Sequence, residues 1–315
     1  MQRSLAVLDS SYGDVVLEAE AAAAHGVTVR DARENTSPAD GVLVQYATIG
    51  AAEMDANPSW KVIGRYGVGV DTIDLEAAAS RGIPVVNVPD YCEEEVATHA
   101  AALILGAARR IREADLLVRD GAWGSWSELR PIQALSQSTL SLIGIGHIGS
   151  ETIRLMSPFF GRIVAHDPFA APADGVELLG FEEALAAGDV ISLHCPLNDQ
   201  TRHLIDAAAL AHVKPGAVLV NVSRGGLINS ADLAAALHDG RLAGAALDVL
   251  EAEPPAGDPI LDAPRVTLTN HIAWYSEQSE RRLRHLLAER CAGVLDGKPA
   301  PTVANRAALE RLASN

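Results

Sequence analysis

The chain has 315 residues, 48% of them apolar and only 4% aromatic, which is enough for two hydrophobic cores and too long for one ordinary domain. Its formal net charge of −16 argues against nucleic acid or an anionic membrane as a partner, because affinity for either rests on clustered Lys and Arg. A small anion is not excluded, since one Arg or one helix N-terminus can dominate a pocket.

Strand-like and helix-like patterns alternate from the start, as in a parallel sheet covered by helices on both faces. Strands are expected at 5–8, 27–29, 42–45, 61–64 and 84–87, with a helix over 74–81 that ends before Gly82. An Ala/Leu/Ile pattern over 94–119 predicts one long helix, and 121–137, with Trp123, Trp126 and Pro131, reads as irregular. A second series of strands follows at 140–143, 163–165, 190–194, 218–222, 244–247 and 266–269. A helix over 276–295 and a Pro-containing tail close the chain. The apolar run at 5–8 is too short for a signal peptide and no run approaches a membrane span, so a cytoplasmic location is expected. Cys92, Cys195 and Cys291 show neither a disulfide framework nor a metal spacing, and no metal is expected.

The second series opens on a specific signal. The expected strand 140–143 runs into Gly144-Ile145-Gly146-His147-Ile148-Gly149, a Gly-x-Gly-x-x-Gly turn leading into a helix. Gly144 permits the turn, Gly146 lets a pyrophosphate approach the backbone, and Gly149 lets helix and strand pack closely. The next strand ends at Asp167, 18 residues past Gly149, where a carboxylate meets the adenosine ribose. That acid repels a 2′-phosphate, and Pro168 and Phe169 offer no cation in its place, so NAD(H) is expected over NADP(H). Because this motif lies in mid-chain, a cofactor domain over 99–286 is expected to be inserted between residues 1–98 and 287–315 of a substrate domain.

Three charged residues follow, each just past an expected strand: Arg224, Glu253 and His271. Ligands in open α/β sheets bind outside the carboxyl ends of the strands, so all three belong to one crevice. Hydride transfer to a 2-oxo acid needs such a set: a His to give the carbonyl oxygen its proton, a carboxylate to orient it, and an Arg fork for the substrate carboxylate. On spacing alone, His271 could be a structural histidine, Arg224 a turn residue and Glu253 a loop cap.

Several ordered motifs together resemble the D-isomer-specific 2-hydroxyacid dehydrogenase family over nearly the whole chain. They are the segment from Gly67 through Val68 and Gly69 to Asp74, the glycine motif, His194-Cys195-Pro196-Leu197, the run from Asn221 to Gly226, the run from Asp248 to Pro254, and the His271 segment. The stretches Val88-Pro89-Asp90-Tyr91-Cys92 and His271-Ile272-Ala273-Trp274 are most similar to the branch related to C-terminal-binding protein. The fold implied is a Rossmann cofactor domain inserted into a flavodoxin-like substrate domain, both doubly wound parallel sheets.

The resemblance implies catalysis by His271 as general acid and base, Glu253 as its partner and Arg224 as carboxylate anchor. It implies a substrate site made by Arg65, Tyr66, Gly67, Val68, Gly69, Arg224, His271 and Trp274, with amides of Val68 and Gly69 on the carboxylate. For NAD(H) it implies Thr98, His147 and Ile148 at the phosphates and His194, Cys195 and Pro196 at the adenine side. Val222 would lie near the nicotinamide and Asp248 would bind its carboxamide, with Thr201, Ser223, Arg224, His271 and Ala273 also against the cofactor. Two positions depart from the family pattern: Asn270 stands where Pro is frequent before the His, and His147 where Arg is usual. A homodimer is implied, with 97–119 and 281–295 as candidate interface or hinge helices. The expected substrate is a small anionic 2-oxo or 2-hydroxy acid. Phosphonates or phosphorylated acids are the alternative substrate class, with Arg65 as the second cation. An NAD(H)-sensing interaction protein, corepressor-like, is the alternative function.

Overall fold

A computed structural model describes residues 3–33, 38–171 and 174–314. The chain forms two compact units, one from Met1–Cys92 with Ser276–Asn315 and one from Glu93–Tyr275. The units part where the helices Glu93–Ala108 and Glu277–Leu295 begin.

In the first unit five strands, β1 (Ser4–Val7), β2 (Thr28–Asp31), β3 (Gly41–Val44), β4 (Val62–Arg65) and β5 (Val85–Val86), pair in the order β2-β1-β3-β4-β5. Every pairing is parallel, and the order is that of a flavodoxin-like sheet. The central strand β3 is buried along its whole length, as its uninterrupted Gly-Val-Leu-Val run requires of a strand covered on both faces. One helical layer is made by Val16–Ala23 and by Glu277–Leu295, which rejoins this unit late in the chain. Between them lies a buried charge pair. Arg284 Nε donates to Glu18 Oε1 at 2.9 Å, with the two residues 5% and 1% exposed. Tyr66 Oη donates to the same carboxylate oxygen at 3.0 Å. Arg284 also lies over the Tyr12 ring and its Nη2 donates to Asp14 Oδ1 at 2.9 Å, so the guanidinium is engaged from several sides.

In the second unit seven strands lie in the order β12-β11-β10-β9-β6-β7-β8, again all parallel. They are β6 (Thr139–Ile143), β7 (Arg162–His166), β8 (Glu177–Leu178), β9 (Val190–Leu193), β10 (Ala217–Asn221), β11 (Leu242–Leu247) and β12 (Val266–Leu268). The order reverses between β6 and β9, so the crevice for a ligand opens at the ends of those two strands. Leu219, Leu233, Leu237 and Leu247 lie in the core on one side of this sheet.

Two expectations are corrected. Strand β8 was not foreseen, because an edge strand of two half-exposed residues carries no apolar run. The single helix over 94–119 is two helices, Glu93–Ala108 and Ile111–Arg119, parted at Arg110, which takes a left-handed φ of 51°. The first buries Val96, Ala97, Ala100, Leu103 and Ile104, while the second buries nothing. A continuous apolar pattern in sequence thus serves two different surfaces. The apolar face of Glu277–Leu295 is spent within its own unit, on Leu283, Leu287 and Cys291. Among the described residues no helix is long and apolar enough to cross a membrane.

Candidate active site

The glycine motif sits at the switch point of the second sheet. Gly144 follows β6 with φ +92°, where a side chain would be strained and its Cβ would strike the Cys195 backbone N at 2.7 Å. A Cβ on Gly149 would meet Gly144 O at 2.5 Å, so both glycines are required by close backbone approach. A Cβ on Gly146 would meet nothing within 4 Å, which leaves open space over the turn. The helix His147–Met156 starts there without a side-chain cap, so its first amides, those of His147 and Ile148 included, face that space. Asp167 is pinned at the end of β7: Oδ2 accepts from Ile145 N and Oδ1 from Phe169 N, each at 2.9 Å. A bare amide cradle, an open approach and a fixed carboxylate fit a dinucleotide with an unphosphorylated ribose.

Other residues expected at the cofactor belong to the same unit. His147 Nδ1 is 2.6 Å from Glu93 Oε1, so the imidazole that stands in the usual place of Arg is engaged by an acid. The Thr98 hydroxyl is exposed and donates into its own helix, to Glu94 O at 2.8 Å. His194 and Cys195 follow β9, and burial holds the His194 imidazole neutral, its pKa pushed down to about 4. His194 Nε2 contacts Ser192 Oγ at 2.9 Å, while Nδ1 is buried without a partner. Burial likewise raises the Cys195 thiol to about 11, leaving it an unreactive wall. Thr201 donates to Pro196 O at 2.7 Å and thereby shapes the loop after Pro196. Val222 is buried, and Ser223 Oγ donates to Leu193 O at 3.1 Å.

The adjacent order β12-β11-β10 brings the ends of three strands together, and with them Arg224, Glu253 and His271. Arg224 follows β10 and its Nη1 donates to Ser223 O at 2.8 Å. His271 follows β12 with a left-handed φ of 59°, and its Nδ1 is 2.6 Å from Glu253 Oε2. Burial opposes ionisation of Glu253. The His271 ring, the Leu250 amide and the charge of Arg224 outweigh it and hold the carboxyl below its ordinary range. Gly225 makes this arrangement possible, because a Cβ there would lie 1.9 Å from the backbone carbonyl of Leu250, and Leu250 N donates to Glu253 Oε1 at 3.1 Å.

Asp248 was expected to reach the nicotinamide. Its carboxylate is 1% exposed and faces the His271 loop. Oδ1 accepts from Thr269 Oγ1 at 2.5 Å and from Ile272 N at 3.0 Å, and Oδ2 accepts from Ala273 N at 3.0 Å. Three donors of the His271 loop occupy it, among them the amide of Ala273. Thr269 and its neighbour His99 carried no signal in the sequence beyond their types. Trp274 packs edge-on against Tyr275, with ring centroids 5.5 Å apart.

The residues of the first unit form their own group at the end of β4. Gly67 has φ +130° and an added Cβ would strike Arg65 Nη1, so the Arg65 side chain folds over that glycine. Asn87 Nδ2 donates to Val68 O at 2.7 Å and Val88 N to Gly67 O at 3.0 Å, which fixes the turn before Gly69. Tyr66 does not wall a surface pocket: it is 3% exposed and belongs to the buried Glu18 cluster. Its pattern of a strand end before glycines gave no sign of the inward turn. Among the described residues no group of His, Cys, Asp and Glu could hold a metal ion.

Residues 101–273 match the family model of the D-isomer-specific 2-hydroxyacid dehydrogenase NAD-binding domain. The chain is 37% identical over 274 residues to a D-3-phosphoglycerate dehydrogenase of Mycobacterium leprae, covering 85% of this chain and 51% of that protein. It is 37% identical over 268 residues to a glyoxylate reductase of Korarchaeum cryptofilum, covering 82% and 80% of the two chains. A D-lactate dehydrogenase of Aquifex aeolicus, solved with NAD and lactic acid, is 26% identical with a TM-score of 0.84, covering 99% and 98%. The chain spans about half the length of the phosphoglycerate dehydrogenases it matches. It belongs to the D-isomer-specific 2-hydroxyacid dehydrogenase family, and its larger unit is that family's NAD-binding domain.

Proposed function

We propose that this family member interconverts a small 2-oxo acid and its D-2-hydroxy acid with NAD(H). The observation that carries the reading is the 2.6 Å contact of His271 Nδ1 with Glu253 at the strand end beside that of Arg224. Bound NAD(H) supplies the hydride to substrate C2 or takes it away. His271 moves the proton: Glu253 engages Nδ1, which leaves Nε2 to give a proton to the carbonyl oxygen in reduction and to take it back in oxidation. Glu253, kept ionised, fixes the plane of the ring and stabilises its charged form. Arg224 holds the planar substrate carboxylate with two parallel N–H donors, a task that Lys performs less well.

The likeness to D-3-phosphoglycerate dehydrogenases supports a phosphorylated acid as a second substrate class, with Arg65 as the cation for its phosphate. A homodimer is part of the same reading. The helix Ile111–Arg119 leaves Ile111, Leu116 and Val118 exposed, next to Trp123 and Trp126 at 86% and 62% exposure. Large apolar side chains exposed together in this way support a surface covered by a partner.

The test is NADH oxidation with glyoxylate, pyruvate, hydroxypyruvate, phenylpyruvate, a methylthio-oxobutyrate, phosphonopyruvate and phosphohydroxypyruvate. One strong substrate, lost by about 10²–10⁴-fold in His271→Ala while NADH still binds, supports the reading. Tight NADH binding without turnover of any acid overturns it in favour of a dinucleotide sensor, and peptide capture with and without NADH then follows.

A further inference from the structure

We propose that His99 is a positioning residue for His271, acting through Thr269 and the buried carboxylate of Asp248. The inference rests on the dehydrogenase reading above for its effect on turnover.

The loop that carries His271 is not held by its own sequence. His271 is a non-glycine residue at φ 59°, a conformation that surrounding contacts must impose. Those contacts converge on Asp248. Its main-chain carbonyl accepts from His271 N at 2.8 Å, and its carboxylate accepts from Ile272 N and Ala273 N at 3.0 Å each. The backbone on the C-terminal side of the imidazole is therefore tied to one buried anion. Thr269, two residues before His271, is tied to the same anion by its hydroxyl at 2.5 Å.

That last bond fixes the direction of the next. The Thr269 hydroxyl has one proton, which goes to Asp248, so its oxygen can only accept from a further neighbour. The neighbour is His99 Nε2, 3.1 Å away, which must carry hydrogen to donate. The same nitrogen is 3.5 Å from Asp248 Oδ1, so the ring lies against the anion as well. His99 sits on Glu93–Ala108, a helix anchored by Ala97, Ala100 and Ile104, all fully buried. Without His99, the Asp248 carboxylate keeps its loop donors but loses the group that orients Thr269 and faces its charge from the helix. Neither the glycine motif nor the Glu253 contact includes His99, so its loss leaves both in place.

The experiment compares His99→Ala, His99→Gln, Thr269→Val and the double variant His99→Ala/Thr269→Val. His99→Ala is expected to lower kcat by about tenfold or more, with KM and the NADH Kd held within about twofold, because ground-state binding is untouched. Gln, whose terminal amide can donate near the position of Nε2, is expected to restore most of the rate. The double variant is expected to be no slower than the slower single one, since both break one chain. Hydrogen exchange of the peptide 268–275 is expected to speed up in His99→Ala, and this readout requires no turnover. Wild-type kcat in His99→Ala, additive losses in the double variant, or unchanged exchange at Ile272 and Ala273 would each overturn the proposal. Absence of turnover in the unmodified protein would count against the dehydrogenase reading alone, and the exchange result would still decide the role of His99.

Discussion

Gly225→Ala adds one methyl group at the most crowded backbone contact near the site. The new Cβ would lie 1.9 Å from both C and O of Leu250 and 2.5 Å from Glu251 N. These are backbone atoms, so relief requires the Leu250 loop to retreat by roughly 1.5 Å to reach ordinary van der Waals separation. Leu250 N holds Glu253 Oε1, and Glu253 Oε2 holds His271 Nδ1, so the shift passes directly to the imidazole. A displacement of that size costs catalysis about 10²-fold, and overpacking costs about 1–3 kcal/mol of stability. Gly216→Ala is the control, because Gly216 has φ +83° with nothing within 4 Å, so its substitution strains the backbone without crowding anything. Steady-state NADH oxidation and urea unfolding on both variants separate the two effects. Both should lose stability and only Gly225→Ala should lose kcat. A folded Gly225→Ala protein with the wild-type kcat would refute the linkage from Gly225 to His271.

The other expectations are as specific. Arg284→Met strands the Glu18 carboxylate in a core position and should cost about 3–5 kcal/mol in urea unfolding, whereas Tyr66→Phe, which leaves the ion pair intact, should cost about 1 kcal/mol. Asp167→Ala should weaken NADH binding while narrowing the preference over NADPH, as read by fluorescence titration of both nucleotides. His194, neutral in the fold at a pKa of about 4, gains a proton more readily when unfolded, so its share of stability is present above the unfolded His value near 6.5. That share should drain away as pH falls from there toward 4, and His194→Gln should flatten this part of the stability curve. In the homodimer proposed above, Trp123→Ser with Trp126→Ser should shift the population toward monomer in light scattering at unchanged fold.

Much of the fold was legible because it is written in local constraints. The glycine motif declares itself since two of its glycines are dictated by backbone contact, and buried parallel strands such as β3 leave continuous apolar runs. The positions of Arg224, Glu253 and His271 were readable for a related reason: strand ends are marked in sequence, and neighbouring parallel strands bring their ends together. What escaped is set by tertiary direction. Nothing local tells that Tyr66 turns inward to Glu18, or that three donors of the His271 loop converge on the Asp248 carboxylate. The break at Arg110 was hidden because the Ala/Leu/Ile pattern continues across it, although one side is buried and the other exposed.

The buried pair of Glu18 and Arg284 also bears on how the chain is made. The two residues are 266 positions apart, with the whole cofactor unit threaded between them. At a synthesis rate of about 5–20 residues per second, Glu18 spends some tens of seconds outside the ribosome before its counter-ion exists. The first unit emerges early yet cannot close its helical layer until the second has been translated. Completion of the smaller unit is thus a late, long-range event, and an N-terminal fragment ending before Glu277 would carry an unmatched carboxylate at what becomes its core. In this molecule the part that begins first is built to finish last.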